Sequence, residues 1–215
     1  MRSYLSPIGY DSTRVTRPVL SHGLDTDDRI IMFRPQLEMD DNRAEAAVRD
    51  VRQMITQIEP DVDIQIEEVP HDDFVQAVDD ICDIFEQLNG ELIVNLSGGA
   101  RDIFLALSVS TMVHLQRVNS IVTFSDIDGD VREVILPNLL VDTPSASFET
   151  LVDIVELDRP VSISELTDRL DIAKSTVTRH LQQLESRELI RTWQEGKSKF
   201  AESTFSGRLL VRSKH

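Results

Sequence analysis

Seven consecutive residues, Asn95-Leu96-Ser97-Gly98-Gly99-Ala100-Arg101, are the ones in this chain best suited to do chemistry. They follow an apolar, β-prone segment, Leu92-Ile93-Val94, and precede a helix-like pattern, Ile103-Phe104-Leu105-Ala106-Leu107. Two glycines at a strand-to-helix corner let the backbone turn tightly and approach a ligand closely. The first N–H groups of the helix lack partners within it and carry partial positive charge, which suits a phosphate. Ser97 can add a hydroxyl, and Arg101 can add charge-assisted, bidentate bonds. The alternative is a tight turn that only packs well, because Gly-Gly is a common punctuator.

A second polar run, Gly9-Tyr10-Asp11-Ser12-Thr13-Arg14, follows the first strand-like segment. It offers an aromatic ring, hydrogen-bonding groups and a cation; Asp11, Ser12 and Thr13 can equally serve as helix caps. The third run is Lys174-Ser175-Thr176-Val177-Thr178-Arg179-His180. Donors and short polar groups at the start of a helix are what entry into a DNA major groove requires. Lys197 and Lys199 lie near a hairpin tip, where they suit backbone phosphate or the minor groove. His180 is a candidate for DNA contact and for a titrating switch, or is a plain surface histidine. His22, His71, His114 and His215 are scattered without metal-ligand spacing. Neither GxxxxGK[ST] nor GxGxxG occurs, which disfavours nucleoside triphosphatases and dinucleotide dehydrogenases, and no general base stands out.

Strands alternate with helices up to about residue 118. Strands are expected at 4–8, 29–33, 62–69 and around Leu92, with helices ending at His22 (with Pro18 inside) and spanning 40–58, 72–88 and about 101–117. The inward face of the second helix is expected to be Ala44, Ala47, Val48, Val51, Met54, Ile55 and Ile58. That of the third is Phe74, Val75, Val78, Ile81, Cys82, Phe85 and Leu88. Strands 120–126 and 131–136 then pair as a hairpin, with Asp128-Gly129 as a two-residue turn. This order implies an α/β fold with a Rossmann-like, mainly parallel sheet, helices on both faces and a terminal β-hairpin. Both polar loops fall at strand carboxyl ends, where such sheets bind ligands.

A Pro/Ser-rich break leads to a second unit. Ser162 is expected to cap a helix with Glu165 as its capping-box partner. A helix from Lys174 to about Glu188 and a hairpin around Glu195-Gly196 follow. Helix, turn, helix and hairpin make a smaller α+β winged helix-turn-helix domain. The division is 1–138 sensor, 139–147 linker and 148–215 winged helix, with 205–211 closing the small domain or a dimer seam.

Charge follows the same division. Residues 1–150 hold 11 arginines, no lysine and 28 acidic residues, a balance of −17. Residues 151–215 hold 11 basic and 10 acidic residues, and all four lysines lie beyond Ile172. A basic tail on an acidic body points to nucleic acid at the tail only. The Asp-rich, Lys-poor body also matches proteins of a high-salt cytoplasm, where acidity serves solubility. A single cysteine, Cys82, excludes disulfide scaffolds and Cys-based zinc sites, and reads as core packing. With no apolar run long enough to span a membrane and no signal-peptide pattern, a cytoplasmic location without membrane association is expected.

Residues 164–184 resemble winged-helix regulators of the MarR and ArsR kind. The whole chain resembles the CRISPR-associated transcription regulators that join an N-terminal CARF domain to a C-terminal winged helix. The Gly9–Arg14 loop, the Asn95–Arg101 corner and the helix-turn-helix at 162–188 carry that resemblance. It implies a homodimer whose joined sensor loops hold one cyclic oligoadenylate, usually the tetra-adenylate, and whose winged helices bind double-stranded DNA. Carried over, the amides of Gly98, Gly99 and Ala100 bind ligand phosphate, with Asn95, Ser97 and Arg101 in the same motif. Gly9, Tyr10, Asp11, Ser12, Thr13 and Arg14 line the base and ribose side, with Asp11 turned to the ligand's sugar or base or tied to Arg14. Ala100 stands where the family often carries Thr or Lys, so one side-chain contact is missing. Some CARF domains cut their ligand slowly through its own 2′-hydroxyl; a non-catalytic regulator without cofactor or metal is expected here. The other readings are a ring nuclease and a regulator whose Rossmann-like domain only dimerises.

Overall fold

Short β-branched runs separated by amphipathic helices leave each strand to be buried on both faces, and the chain solves this with a parallel sheet between two helical layers. In the structure, a computed structural model, residues 1–37, 41–142, 145–196 and 198–214 are described. They fall into two compact units, Met1–Leu136 and Pro137–His215.

The first unit runs β1 (Arg2–Pro7), α1 (Thr13–His22), β2 (Arg29–Pro35), α2 (Asp41–Ile58), β3 (Asp63–Val69), α3 (Phe74–Gln87), β4 (Glu91–Asn95), α4 (Arg101–Val113), β5 (Val118–Phe124) and β6 (Val131–Glu133). A 3₁₀ turn, Leu115–Arg117, joins α4 to β5. The sheet order is β3-β2-β1-β4-β5-β6, parallel except for β6. Tyr4, Ile30, Met32 and Ile93 pack one face against Val15 and Val19 of α1 and Val51 and Ile55 of α2. Leu5, Ile31, Phe33 and Val94 pack the other against Ile81 and Phe85 of α3 and Ile103 and Leu107 of α4. The chain winds outward from β1 to β3, then returns to β4 on the opposite side. The crevice of such a sheet opens where that reversal occurs, between the carboxyl ends of β1 and β4.

Three local expectations are corrected. Asp128-Gly129 is not a two-residue hairpin turn: the Ser125 amide donates to the Asp130 carbonyl (2.9 Å), so four residues form the loop, with Ile127 at its exposed tip. Thr13 and Arg14 lie in α1, not in the preceding loop. Met54, Ile58, Phe74 and Val75 are exposed, and the stripe of α3 that meets the sheet is Ala77, Ile81 and Phe85, every fourth residue.

The second unit contains α5 (Ser145–Leu157), β7 (Val161–Ser162), α6 (Ile163–Leu170), α7 (Lys174–Glu185), β8 (Ile190–Glu195), β9 (Ser198–Ser203) and α8 (Phe205–Ser213). Its antiparallel sheet has the order β7-β9-β8, and its core gathers Leu151, Ile154, Leu166, Val177, Leu181, Leu184, Leu189 and Val211. In the hairpin Trp193 stacks on Phe200 with ring centroids 6.0 Å apart. Through Leu210 and Val211, α8 closes this core. The expected linker 139–147 is largely structured. The Asn138 amide donates to Ser206 Oγ (3.0 Å), Val141 packs on the core, Arg187 Nε donates to the Asp142 carbonyl (2.7 Å), and α5 takes in 145–147. Residues 143–144 lie outside the described residues.

Candidate ligand cleft and nucleic-acid interface

The two polar loops of the first unit meet. A cleft of about 450 Å³ is lined by Gly9, Tyr10, Asp11 and Arg14 from one side, Gly98, Gly99 and Ala100 from the other, and Arg43 from α2. Gly98 and Gly99 have φ of +75° and +72°, a region L side chains rarely adopt. Space makes the same demand. A Cβ on Gly99 would sit 2.5 Å from Pro7 Cβ, one on Gly98 2.8 Å from Arg14 Cδ, and one on Gly9 3.2 Å from Gly99 Cα. The glycines therefore let three segments close on one another, which the tight-turn reading requires. They also leave a ligand-facing consequence: among the described residues no protein acceptor engages the amides of Gly98, Gly99 or Ala100. Ala100, the N-cap of α4, has no side chain able to cap it.

Asn95 sits beneath the corner and is a positioning residue. Pro18 has no N–H to give the Arg14 carbonyl four residues earlier in α1. Asn95 Nδ2 donates to that carbonyl instead (2.7 Å) and to Ser6 Oγ (2.7 Å), tying α1, β1 and β4 at one point. Its Oδ1 is buried without a hydrogen-bond partner among the described residues. Ser97 is also buried, its Oγ accepting the Phe124 amide at 2.5 Å, so it braces β5 and does not line the cleft. Asp11 accepts the Thr13 amide (3.0 Å) and faces Arg14 Nε (3.3 Å); it both closes the start of α1 and holds Arg14. Burial works to raise the Asp11 pKa, but the Thr13 bonds and Arg14 outweigh it and hold the carboxyl below its usual range. Ser12 and Thr13 lie outside the cleft lining, and the Ser12 carbonyl starts the α1 hydrogen bonds. Arg101 is exposed, also outside the lining, with no partner among the described residues.

In the second unit α6 is capped by Ser162, whose Oγ accepts the Glu165 amide (3.2 Å). The expected capping box is only half formed, because the Glu165 carboxylate pairs with Arg159. Asp171, at φ +51°, turns the chain into α7. Val177, Leu181 and Leu184 bury one side of α7, leaving Lys174, Ser175 and Arg179 exposed and Thr176 half-buried. Thr178 Oγ1 donates back to the Lys174 carbonyl (2.8 Å). Lys199 faces Glu185 at 3.8 Å; Lys197 lies outside the described residues. His180 is corrected outright. Three residues from Val177 and four from Leu184, it falls on the buried stripe, 5% exposed, with Nδ1 2.8 Å from Thr150 Oγ1 of α5. Burial, then the Arg179 charge, hold its pKa below the ordinary value against the pull of Glu149. It cannot touch DNA without unpacking the unit.

Residues 2–132 match the family described as the Csa3 CRISPR-associated Rossmann-like domain. The chain belongs to this family. Residues 156–192 match a helix-turn-helix domain, so a CRISPR-associated Rossmann-like unit and a DNA-binding type of unit are joined in one chain. No curated protein matches the chain. Among solved structures, reduced HlyU from Vibrio cholerae N16961 is similar at 22% identity over 34% of this chain and 75% of that one, TM-score 0.30. A mutant MarR from E. coli complexed with operator DNA is similar at 19% identity over 34% and 54%, TM-score 0.32. RV1404 from Mycobacterium tuberculosis is similar at 27% over 33% and 50%, TM-score 0.31. Among the described residues no helix is long and apolar enough to cross a membrane.

One cleft residue of this Csa3-type unit and one partner of a cleft residue escaped the sequence reading. Arg43 lies with its guanidinium carbon 4.6 Å from the centre of the Tyr10 ring. The signal was topological: α2 starts at the carboxyl end of β2, beside β1, on the same sheet edge as both loops. Asp126, from the β5–β6 loop, pairs with Arg14 at 2.8 Å across 112 residues of sequence. Nothing local to Asp126 foretells that partner.

Proposed function

We propose that this protein is a dimeric, ligand-responsive transcription regulator of CRISPR-associated genes. It binds cyclic oligoadenylate, most naturally the tetra-adenylate, between two Rossmann-like units and DNA through α7. The observation that carries this reading is the set of unengaged amides at Gly98, Gly99 and Ala100, opening into a cleft at the β1/β4 reversal beside Arg14, Arg43 and the Tyr10 ring. Bare amides at a helix start favour phosphate, the arginines add charge, and Tyr10 offers a face to a base. A two-fold ring fits an isologous pair of such clefts. Lys174, Ser175, Thr176 and Arg179 meet the groove, and Lys199 meets phosphate. In this reading the unit senses without catalysis, and Asp11, the carboxylate of the cleft lining, is tied to the Thr13 amide and Arg14.

Calorimetric titration of the full chain with cyclic tetra-adenylate tests the sensor. Heat with intact ligand afterwards supports it; linear products favour a ring nuclease, and no heat at any ring size favours a unit that only dimerises. Gel shifts with DNA upstream of the neighbouring CRISPR-associated genes test the second unit. Lys174→Glu with Arg179→Glu should weaken that shift at least tenfold and leave ligand binding unchanged.

A further inference from the structure

Arg14 is the cation deepest in the join between the two cleft loops. Its side chain crosses Gly98 so closely that a Cβ there would meet Arg14 Cδ. Yet its charge is already taken. Asp11 approaches Nε, and both carboxylate oxygens of Asp126 lie within 3.0 Å of one terminal nitrogen, 2.8 Å for Oδ1 and 3.0 Å for Oδ2. Asp11 has a second task at the start of α1. Asp126 has no other hydrogen bond or ion pair among the described residues. It sits in the four-residue loop between β5 and β6, the last strand before the chain enters the second unit at Pro137.

We propose that the Arg14–Asp126 ion pair is an autoinhibitory latch that an anionic ligand must open to use Arg14. Ligand phosphate and the Asp126 carboxylate compete for one guanidinium, because two anions cannot share that face without repulsion. A phosphate on the unengaged amides reaches the same nitrogen, displaces Asp126 and cuts a side-chain tie holding the β5–β6 loop to α1. The loop then exchanges one partner for solvent, so ligand binding is reported as loosening of the segment that leads out of the sensor. This deepens the reading of the cleft as an oligoadenylate site and rests on it.

The test uses the full chain, cyclic tetra-adenylate as probe, and Asp126→Asn. The substitution keeps shape and removes charge, and the residue is exposed enough that folding is not at stake. Exposed pairs of this kind contribute modestly, so ligand affinity should rise about two- to fivefold. Asp126→Glu should restore the wild-type value, and Asp128→Asn, in the same loop but paired with Arg132, should leave it unchanged. Hydrogen exchange supplies a readout that affinity alone does not. Ligand should speed exchange of the 125–130 amides in the wild type, and these amides should already exchange fast in Asp126→Asn, with no further change on binding. Wild-type binding with an unaltered or lower affinity for Asp126→Asn, or with slowed exchange in the loop, overturns the latch and leaves the site intact. No wild-type binding at all removes the site and the latch with it.

Discussion

Two groups of helices in this chain begin differently. In α3, α6 and α8 the first turn is closed by Asp73, Ser162 and Thr204, each accepting a backbone amide. Asp11 does the same for α1 from one residue further out. In α4 and α7 the helix begins at Ala100 and Ala173, both extended residues with φ/ψ near −60°/140° and no side chain to cap with. An uncapped start forgoes about 1 kcal/mol relative to a good cap. Of these two, α4 starts in the cleft lining, opposite Arg14 of α1 and Arg43 of α2, and α7 carries the proposed DNA face. In the proposed reading the capped starts serve the fold, and the uncapped ones leave amides for phosphate.

The largest effect should come from disturbing the corner itself. Gly99→Ala combines a positive φ with a clash against Pro7, and should destabilise the first unit by about 1–3 kcal/mol and abolish ligand binding. Gly207→Ala meets the Leu189 carbonyl and should move the melting of the second unit instead. Calorimetric scanning separates the two, and one common shift would contradict the division. Ala100→Asp should cost at least tenfold in ligand affinity while leaving α4 no less stable, because the carboxylate fills the place of the anion. Ala173→Asp should act likewise on DNA, by about tenfold in a gel shift, without touching the ligand.

Ser162→Ala is the control from the other group: a loss of about 1 kcal/mol in the second unit, read by urea unfolding, with no selective effect on either partner. The smallest effect concerns His180. Its pKa is lower folded than unfolded, so the unfolded state takes up the proton first, and stability present above about pH 6.5 is lost as pH falls toward the folded value. The second unit should melt lower at pH 5 than at pH 7.5, and His180→Gln should flatten that difference.

Much of this was legible because the backbone enforces it. Consecutive glycines at 98 and 99 announce positive φ, and a mainly parallel sheet follows from strand-helix alternation with right-handed crossovers, whereas its strand order does not. What escaped had no local cause. His180 was read by its chemistry when its spacing from Val177 and Leu184 already put it inside. Asn95 was taken for a ligand contact, although Pro18 leaves a carbonyl in α1 that something must satisfy. Ser97 was lost to the same bracing role. The Arg14–Asp126 pair joins residues that meet only once the sheet has closed, and the hairpin turn lost to the pairing of Ser125 with Asp130. Helical periodicity marked the apolar stripe of α3 without marking where it runs out, so Phe74 and Val75 were drawn in.

The stacked pair in the hairpin has a practical consequence. Trp193 is the only tryptophan in the chain, while both tyrosines, Tyr4 and Tyr10, belong to the first unit. Red-edge excitation therefore sees the wing alone, and the two tyrosines of the first unit, buried Tyr4 and Tyr10 at the cleft, answer together in a separate band. One unlabelled sample, followed in two emission channels, can report which half of the molecule responds first.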